Sequence, residues 1–124
     1  MKEGDNVNEN QIYVQLFKTT ILNDEKTEWL VKEGYLGEYD PTYITKKANL
    51  FIAEFEKKLI DKVVTYININ GLISREKLRD ITALEPDAFD LFIGRMLKTH
   101  KLLIKKPGDV YVVKKANRQK YLLL

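Results

Sequence analysis

The sequence contains no cysteine, and this absence excludes several classes of protein. Without cysteine the chain can form neither a disulfide framework nor a thiolate metal site, and it has no cysteine nucleophile. This composition fits a reducing compartment, so we expect a cytoplasmic protein. No apolar run approaches the roughly 18 residues that a membrane-spanning helix needs. The polar N-terminal stretch MKEGDNVNEN also lacks the apolar region of a signal peptide, so no membrane association is expected.

Residues that commonly carry catalysis are also scarce. His100 is the one histidine in the sequence. A lone histidine in a chain without cysteine is more often a structural or surface residue than a metal ligand or a general base. The sequence has no glycine-rich loop followed by Lys and Ser or Thr, which excludes a phosphate loop of that kind. The acidic pairs Glu54/Glu56 and Asp87/Asp90 stand on predicted helix faces among lysines, which favours solvated, surface-paired charge. We therefore expect no enzyme, no cofactor and no metal site.

Charge is unevenly distributed along the chain. The net charge is only +3. Residues 1–40 contain four Lys/Arg and nine Asp/Glu, residues 41–93 contain eight of each, and residues 94–124 contain nine Lys/Arg and one Asp. Such asymmetry indicates that the basic end meets a polyanion. The alternative is a lysine-rich surface that is merely solvated.

Length and composition predict a globular protein of one compact domain overall. The chain has 124 residues, of which 44% are apolar and 31% are charged. We divide it into a flexible tail over residues 1–10, a helix and hairpin segment over 11–45, and a long helix with a C-terminal unit over 46–124.

The N-terminal half contains one ambiguous stretch. QIYVQLFKTTILN, residues 11–23, alternates like a strand but also recurs like a helix. A helix is favoured because Asn23-Asp24 then supplies a break and a new N-cap. The next helix is expected to end at Gly34, followed by a small hairpin that pairs Tyr35-Leu36 with Tyr43-Ile44.

The longest predicted element is a helix that begins after Thr45 and ends at Asn70-Gly71. Its apolar residues recur at steps of three and four, including Phe55 and Leu59. A helix of about 25 residues is about 37 Å long. That length suits packing against a second subunit, with Phe55 and Leu59 in a homodimer interface. It equally suits a helix that spans two halves of one molecule, and both interpretations stay open here.

The C-terminal half predicts two short helices and a hairpin. Ser74 is a candidate N-cap, Pro86 suits the first turn of a helix that reaches Thr99, and two strands, 102–106 and 110–115, flank the turn Pro107-Gly108-Asp109.

From Leu59 to Lys115 this order resembles a winged helix-turn-helix domain of small DNA-binding transcription regulators. The apolar positions that carry the resemblance are Ile73, Leu78, Ile81, Leu84, Phe89, Ile93, Met96, Leu97, Leu103, Ile104, Tyr111 and Val112. It implies a mainly α fold with small β-hairpins (α+β), preceded by the N-terminal segment and the long connecting helix. It also implies that the third helix of the motif enters the major groove of DNA.

The leading end of that third helix is unsuited to base reading. Base edges are read by Arg, Lys, Asn or Gln, whereas this end holds Glu85, Asp87 and Asp90. We therefore expect a nucleic-acid-binding regulator that contacts DNA phosphates through a basic wing and tail, with little sequence discrimination. The predicted contact residues are Arg95, Lys98, Lys101, Lys105, Lys106, Lys114, Lys115 and Arg118.

An alternative function follows from the far side of the same helix. Leu91 is expected to face solvent beside Gly94, an arrangement that fits close approach of another polypeptide. The chain would then be a protein-interaction module that docks on, or inhibits, a larger assembly. A single surface leucine is common, however, and carries no meaning by itself.

Overall fold

The computed structural model describes residues 8–17, 25–37 and 44–114. In these ranges the elements are α1 (Glu9–Leu16), α2 (Glu25–Lys32), α3 (Lys46–Asn70), β1 (Ile73–Ser74), α4 (Arg75–Thr82), α5 (Pro86–Gly94), a π-helical turn (Arg95–Thr99), β2 (Leu103–Lys106) and β3 (Val110–Val113). The predicted class is confirmed, since the described chain is mainly helical with one small antiparallel sheet. None of the described helices has the length and apolarity needed to cross a membrane.

The chain divides into two compact units, residues 1–55 and 56–124. The division falls inside α3, whereas the sequence predicted a boundary before it, between residues 45 and 46. The long helix therefore contributes residues to both units. This agrees with the interpretation of a helix that spans two halves of one molecule.

In the first unit, α1 begins at Glu9 because Asn8 caps it. The Asn8 side chain accepts a hydrogen bond from the backbone N–H of Gln11 at 2.9 Å, and the Gln11 side chain accepts one from the Asn8 backbone N–H at 3.2 Å. This reciprocal pair satisfies two N–H groups that a helix start leaves open. The helix preferred over a strand is confirmed for residues 11–16, and it begins at Glu9, inside the predicted tail. Residues 18–23 of the ambiguous stretch lie outside the described residues.

Six aromatic rings of the first unit form a row of neighbouring contacts. Neighbouring rings lie 4.5 to 6.1 Å apart between centroids, in the order Phe17, Tyr13, Phe55, Phe51, Tyr35 and Trp29. Such spacings are those of favourable aromatic pairs. Tyr13 is fully buried, and α1 is thereby packed against the first part of α3.

Between α2 and α3, helix-ending and helix-capping residues stand where the sequence predicted them. Gly34 has φ +88° just after α2, as a C-terminal glycine stop requires. The predicted hairpin is represented by one antiparallel bridge between Leu36 and Ile44, while Tyr43 lies outside the described residues. Thr45 caps the start of α3, because its Oγ1 accepts a hydrogen bond from the Ala48 backbone N–H at 3.2 Å.

In the second unit, local caps set the ends of the short helices. Ser74 Oγ accepts a hydrogen bond from the Lys77 backbone N–H at 3.1 Å, which confirms the predicted N-cap of α4. Ala83, with φ +51°, ends that helix in the left-handed region. Pro86 then occupies the first turn of α5, where its missing N–H costs no helical hydrogen bond.

The three strands form one antiparallel sheet in the order β1-β3-β2. The hairpin joins Leu103 to Val113 and Lys105 to Tyr111 in register. Its turn contains two positive-φ residues, Gly108 at +87° and Asp109 at +56°. The sequence predicted this hairpin, but it did not predict β1, whose Ile73 pairs with Tyr111.

The core of the second unit confirms most of the predicted apolar positions. The buried ones are Ile73, Leu78, Phe89, Ile93, Met96, Leu103 and Tyr111. Ile104 is an exception: it lies next to the buried Leu103 on β2, so it points to the opposite face and is 38% exposed. The remaining exceptions, Ile81, Leu84, Leu97 and Val112, are half-buried.

Candidate nucleic-acid interface

The third helix of the predicted motif does not continue regularly to Thr99. α5 ends at Gly94 and is followed by a π-helical turn over residues 95–99, in which the His100 backbone N–H donates to the Arg95 carbonyl at 2.7 Å. Lys101 then has φ +52°, a left-handed conformation that is uncommon for a residue with a long side chain. The Leu102 backbone N–H donates to the Met96 carbonyl at 2.8 Å. The chain is thus turned tightly from the helix into β2.

An open groove lies where this turn meets the hairpin. We call it the lysine groove and define it by its lining residues Leu97, Lys101, Leu103, Ile104, Lys105 and Lys114. Three of these side chains are cationic, three are apolar, and none is acidic. The arrangement suits a ligand that combines anionic groups with less polar surface.

The segment of the chain that lines the groove contains little negative charge. Asp109 is the one acidic residue in 94–124. Its Oδ1 lies 3.4 Å from Lys105 Nζ, and both side chains are more than half exposed. Exposed ion pairs of this kind contribute about 0–1 kcal/mol and leave the charges accessible to water and counterions. The hairpin therefore keeps an excess of positive charge.

The predicted contact residues do not all share this surface. Lys101, Lys105 and Lys114 line the groove together. Lys98 and Lys106 are exposed but do not line the groove. Lys115 and Arg118 lie outside the described residues.

Arg95 has a structural role in this fold. Its Nε and Nη2 both donate to the carboxylate of Glu56 on α3, with Nη2 3.0 Å from Oε1. His100 Nε2 lies 2.9 Å from the same Oε1. The Glu56 side chain is only 4% exposed and that of Arg95 17%. We call these three residues the Glu56 cluster, and the predicted phosphate contact of Arg95 stays a prediction.

The expectation that Glu56 is a solvated surface charge is wrong. Glu56 is buried because it occupies the apolar face of α3, four residues after Ile52 and four before Ile60, both of which are buried. That spacing was a signal in the sequence that a buried partner must exist. Paired, two-point hydrogen bonding is what makes such a buried charge tolerable. By contrast, Glu54 is exposed, as expected.

The leading end of α5 is acidic on the outside, as predicted. Glu85, Asp87 and Asp90 are exposed. Arg75 partly offsets this charge, since its Nη2 donates to Asp90 Oδ1 at 3.3 Å and its Nη1 to the Tyr111 hydroxyl at 3.2 Å. The hydrogen bond to Tyr111 is the main cause that raises the pKa of Arg75. This end of α5 would repel phosphate.

The predicted protein-interface residues differ in their exposure. Leu91 is half-buried, so the expectation that it points into solvent is wrong. Gly94 faces open space, because a Cβ added there would meet nothing within 4 Å. Leu59 is buried and Phe55 is half-buried against Tyr13 within the single chain. These two residues therefore give no support to a homodimer through α3, which stays a prediction.

Comparison of the chain with protein-family models, curated proteins and solved structures found no match. Within the part of the chain that the structure describes, no group of three or more His, Asp or Glu side chains is arranged to hold a metal ion. The function is therefore inferred from the groove and its charges.

Proposed function

We propose that this protein is a small nucleic-acid-binding regulator of the winged-helix type. The order α3, β1, α4, α5, β2, β3 supports this, since a helical motif is followed by a hairpin that returns to a short strand before its second helix. The observation that carries the proposal is the lysine groove, in which three lysines converge without a carboxylate among the lining residues.

The chemistry of the groove favours the phosphate backbone over the bases. Lysine ammonium groups act as mobile point charges that neutralise phosphates and release condensed counterions. Such contacts position a protein on nucleic acid without reading its sequence. The acidic start of α5 offers no donor for base edges, so discrimination between sequences is expected to be small.

The groove also favours a duplex over a single strand. Single-strand binding surfaces usually combine positive charge with aromatic side chains on which bases stack. Among the residues that the structure describes, no aromatic side chain lines this groove; its apolar members are Leu97, Leu103 and Ile104. These are suited to contact with sugars between phosphates.

Fluorescence anisotropy with a short labelled DNA duplex over a series of salt concentrations tests this function. The variant Lys101→Gln/Lys105→Gln/Lys114→Gln should bind more weakly and should reduce the slope of log K against log salt by about 2–3, since each lost phosphate contact contributes about 0.9. A matched control is Lys57→Gln/Lys58→Gln/Lys62→Gln, which removes three exposed lysines from α3. Equal losses in both triples would show a general charge effect, and no binding by the wild type at low salt would disprove the proposal.

A second function, docking on another protein, is favoured by α5. Its first turn exposes Asp87 beside Glu85, and Gly94 leaves the opposite end open to a closely approaching chain. Gly94→Glu would block this surface without disturbing the core. Affinity capture with the wild type and this variant decides the question: recovery of the same proteins in equal amounts would rule this surface out as the interface.

A further inference from the structure

We propose that the Glu56 cluster is a positioning device for the lysine groove, fixing the segment that carries Lys101. The inference rests on the proposed function, because it assigns to Glu56 an effect on nucleic-acid binding without any contact to the ligand. Neither Glu56 nor its two partners lines the groove.

Both oxygens of the Glu56 carboxylate have partners. Oε2 accepts from Arg95 Nε, while Oε1 accepts from Arg95 Nη2 at 3.0 Å and lies 2.9 Å from His100 Nε2. One buried carboxylate therefore holds two side chains that are five residues apart. Glu56 itself is fixed, since it lies within the long helix α3.

The two partners of Glu56 stand at the two ends of the π-helical turn. Arg95 is the first residue of the π-helical turn and His100 is the residue that follows it. Both ends of an uncommon, wide turn are thus attached to the same anchor. π-Helical turns are rare and occur often at functional sites.

The residue after His100 has an uncommon backbone conformation. Lys101 adopts φ +52°, which a bulky residue keeps only where its surroundings impose it. After Lys101 the chain enters the hairpin, where the Lys114 backbone N–H donates to the Leu102 carbonyl at 2.7 Å. The cluster on one side and the hairpin on the other therefore fix the direction in which Lys101 enters the groove.

Charge gives this inference a sharp test. Glu56→Gln and Glu54→Gln each remove one negative charge from α3, so long-range electrostatics alone predicts equal or tighter DNA binding for both. A positioning role predicts instead that Glu56→Gln weakens binding, because the amide has one accepting oxygen where the carboxylate uses two, so one of the two hydrogen bonds from Arg95 is lost. Glu54 is exposed and provides the matched control.

The experiment measures duplex affinity by anisotropy and amide exchange by NMR in the wild type, Glu54→Gln and Glu56→Gln. We expect Glu54→Gln to bind as well as the wild type or better. Glu56→Gln should bind roughly three- to tenfold more weakly and exchange faster at residues 100–102. If Glu56→Gln does not fold, His100→Leu, which keeps the Glu56–Arg95 pair, should show the same changes at smaller amplitude.

Two outcomes would overturn the inference. The first is Glu56→Gln binding as tightly as Glu54→Gln, even if the turn exchanges faster, since the cluster would then be structural only. The second is unchanged exchange at residues 100–102 in Glu56→Gln and His100→Leu. If the wild type binds no duplex, the proposed function fails, and with it the role in binding. The exchange data then decide separately whether Glu56 fixes the turn.

Discussion

The Glu56 cluster and the lysine groove use positive charge in opposite ways. In the cluster, Arg95 is 17% exposed and is held at two points by a buried carboxylate. In the groove, Lys105 is 54% exposed and forms an ion pair with the exposed Asp109. The comparison shows that the count of cations in a basic segment does not reveal which of them are available to a ligand. Burial and pairing decide whether a cation stabilises the fold or remains available to bind.

The largest effect that this comparison predicts is on stability, at Glu56. Glu56→Ala leaves Arg95 and His100 without their shared acceptor, and breaking a buried pair from one side costs about 3–5 kcal/mol. Urea denaturation followed by circular dichroism measures the loss in the free energy of unfolding. Glu54→Ala, two residues away and exposed, should change it by less than about 0.5 kcal/mol. Similar values for the two variants would contradict the distinction between the regions.

The next largest effect concerns the shape of the buried cation. Arg95→Lys keeps the charge but cannot form two parallel hydrogen bonds to one carboxylate, so we expect a loss of about 1.5–3 kcal/mol in the free energy of unfolding. In the groove the reverse exchange, Lys105→Arg, should leave stability within about 0.5 kcal/mol of the wild type. The same denaturation experiment compares them, and a stable Arg95→Lys protein would show that charge alone suffices in the cluster.

A smaller effect is expected at the turn of the hairpin. Gly108 has φ +87°, and alanine in the left-handed region costs roughly 1–2 kcal/mol. Gly94 has an ordinary helical conformation and open space around its Cα. Gly94→Ala should therefore stabilise the protein by about 0.5–1 kcal/mol. Thermal denaturation distinguishes the two by sign, and destabilisation by both would mean that backbone conformation is not the cause.

The smallest effect on stability is expected at Lys105 itself. Lys105→Ala removes an exposed ion pair and should lower the free energy of unfolding by no more than about 0.5 kcal/mol. The same change should reduce the salt slope of DNA binding by about 1, because one phosphate contact is lost. Unfolding and anisotropy measurements on one sample test both, and a large loss of stability would place Lys105 with the structural cations.

The sequence was most informative where a local rule acts within a few residues. The apolar period of α3, the caps Thr45 and Ser74, Pro86 at the start of α5 and the turn at Gly108 all follow from chemistry between near neighbours, and the structure has each of them. The acidic outer surface at the start of α5 was predictable in the same way.

Features that depend on distant partners were missed. Glu56 meets residues 39 and 44 positions later, a pairing that only the tertiary fold creates. β1 has two residues, too few for any periodic signal, and it exists because β3 lies beside it. Sequence reasoning therefore located the lysines of the hairpin, whose contact with nucleic acid stays a prediction. It did not separate Arg95, which is held internally, from the lysines that share a groove.

The order of the sheet has one more consequence. β2 is an edge strand, so one of its sides presents backbone groups on which another extended chain could add. Lys105 and Lys106 are consecutive on this strand, so their side chains lie on its two faces, and both are exposed. Lysines on an edge strand oppose such pairing, so we expect the hairpin lysines to disfavour aggregation.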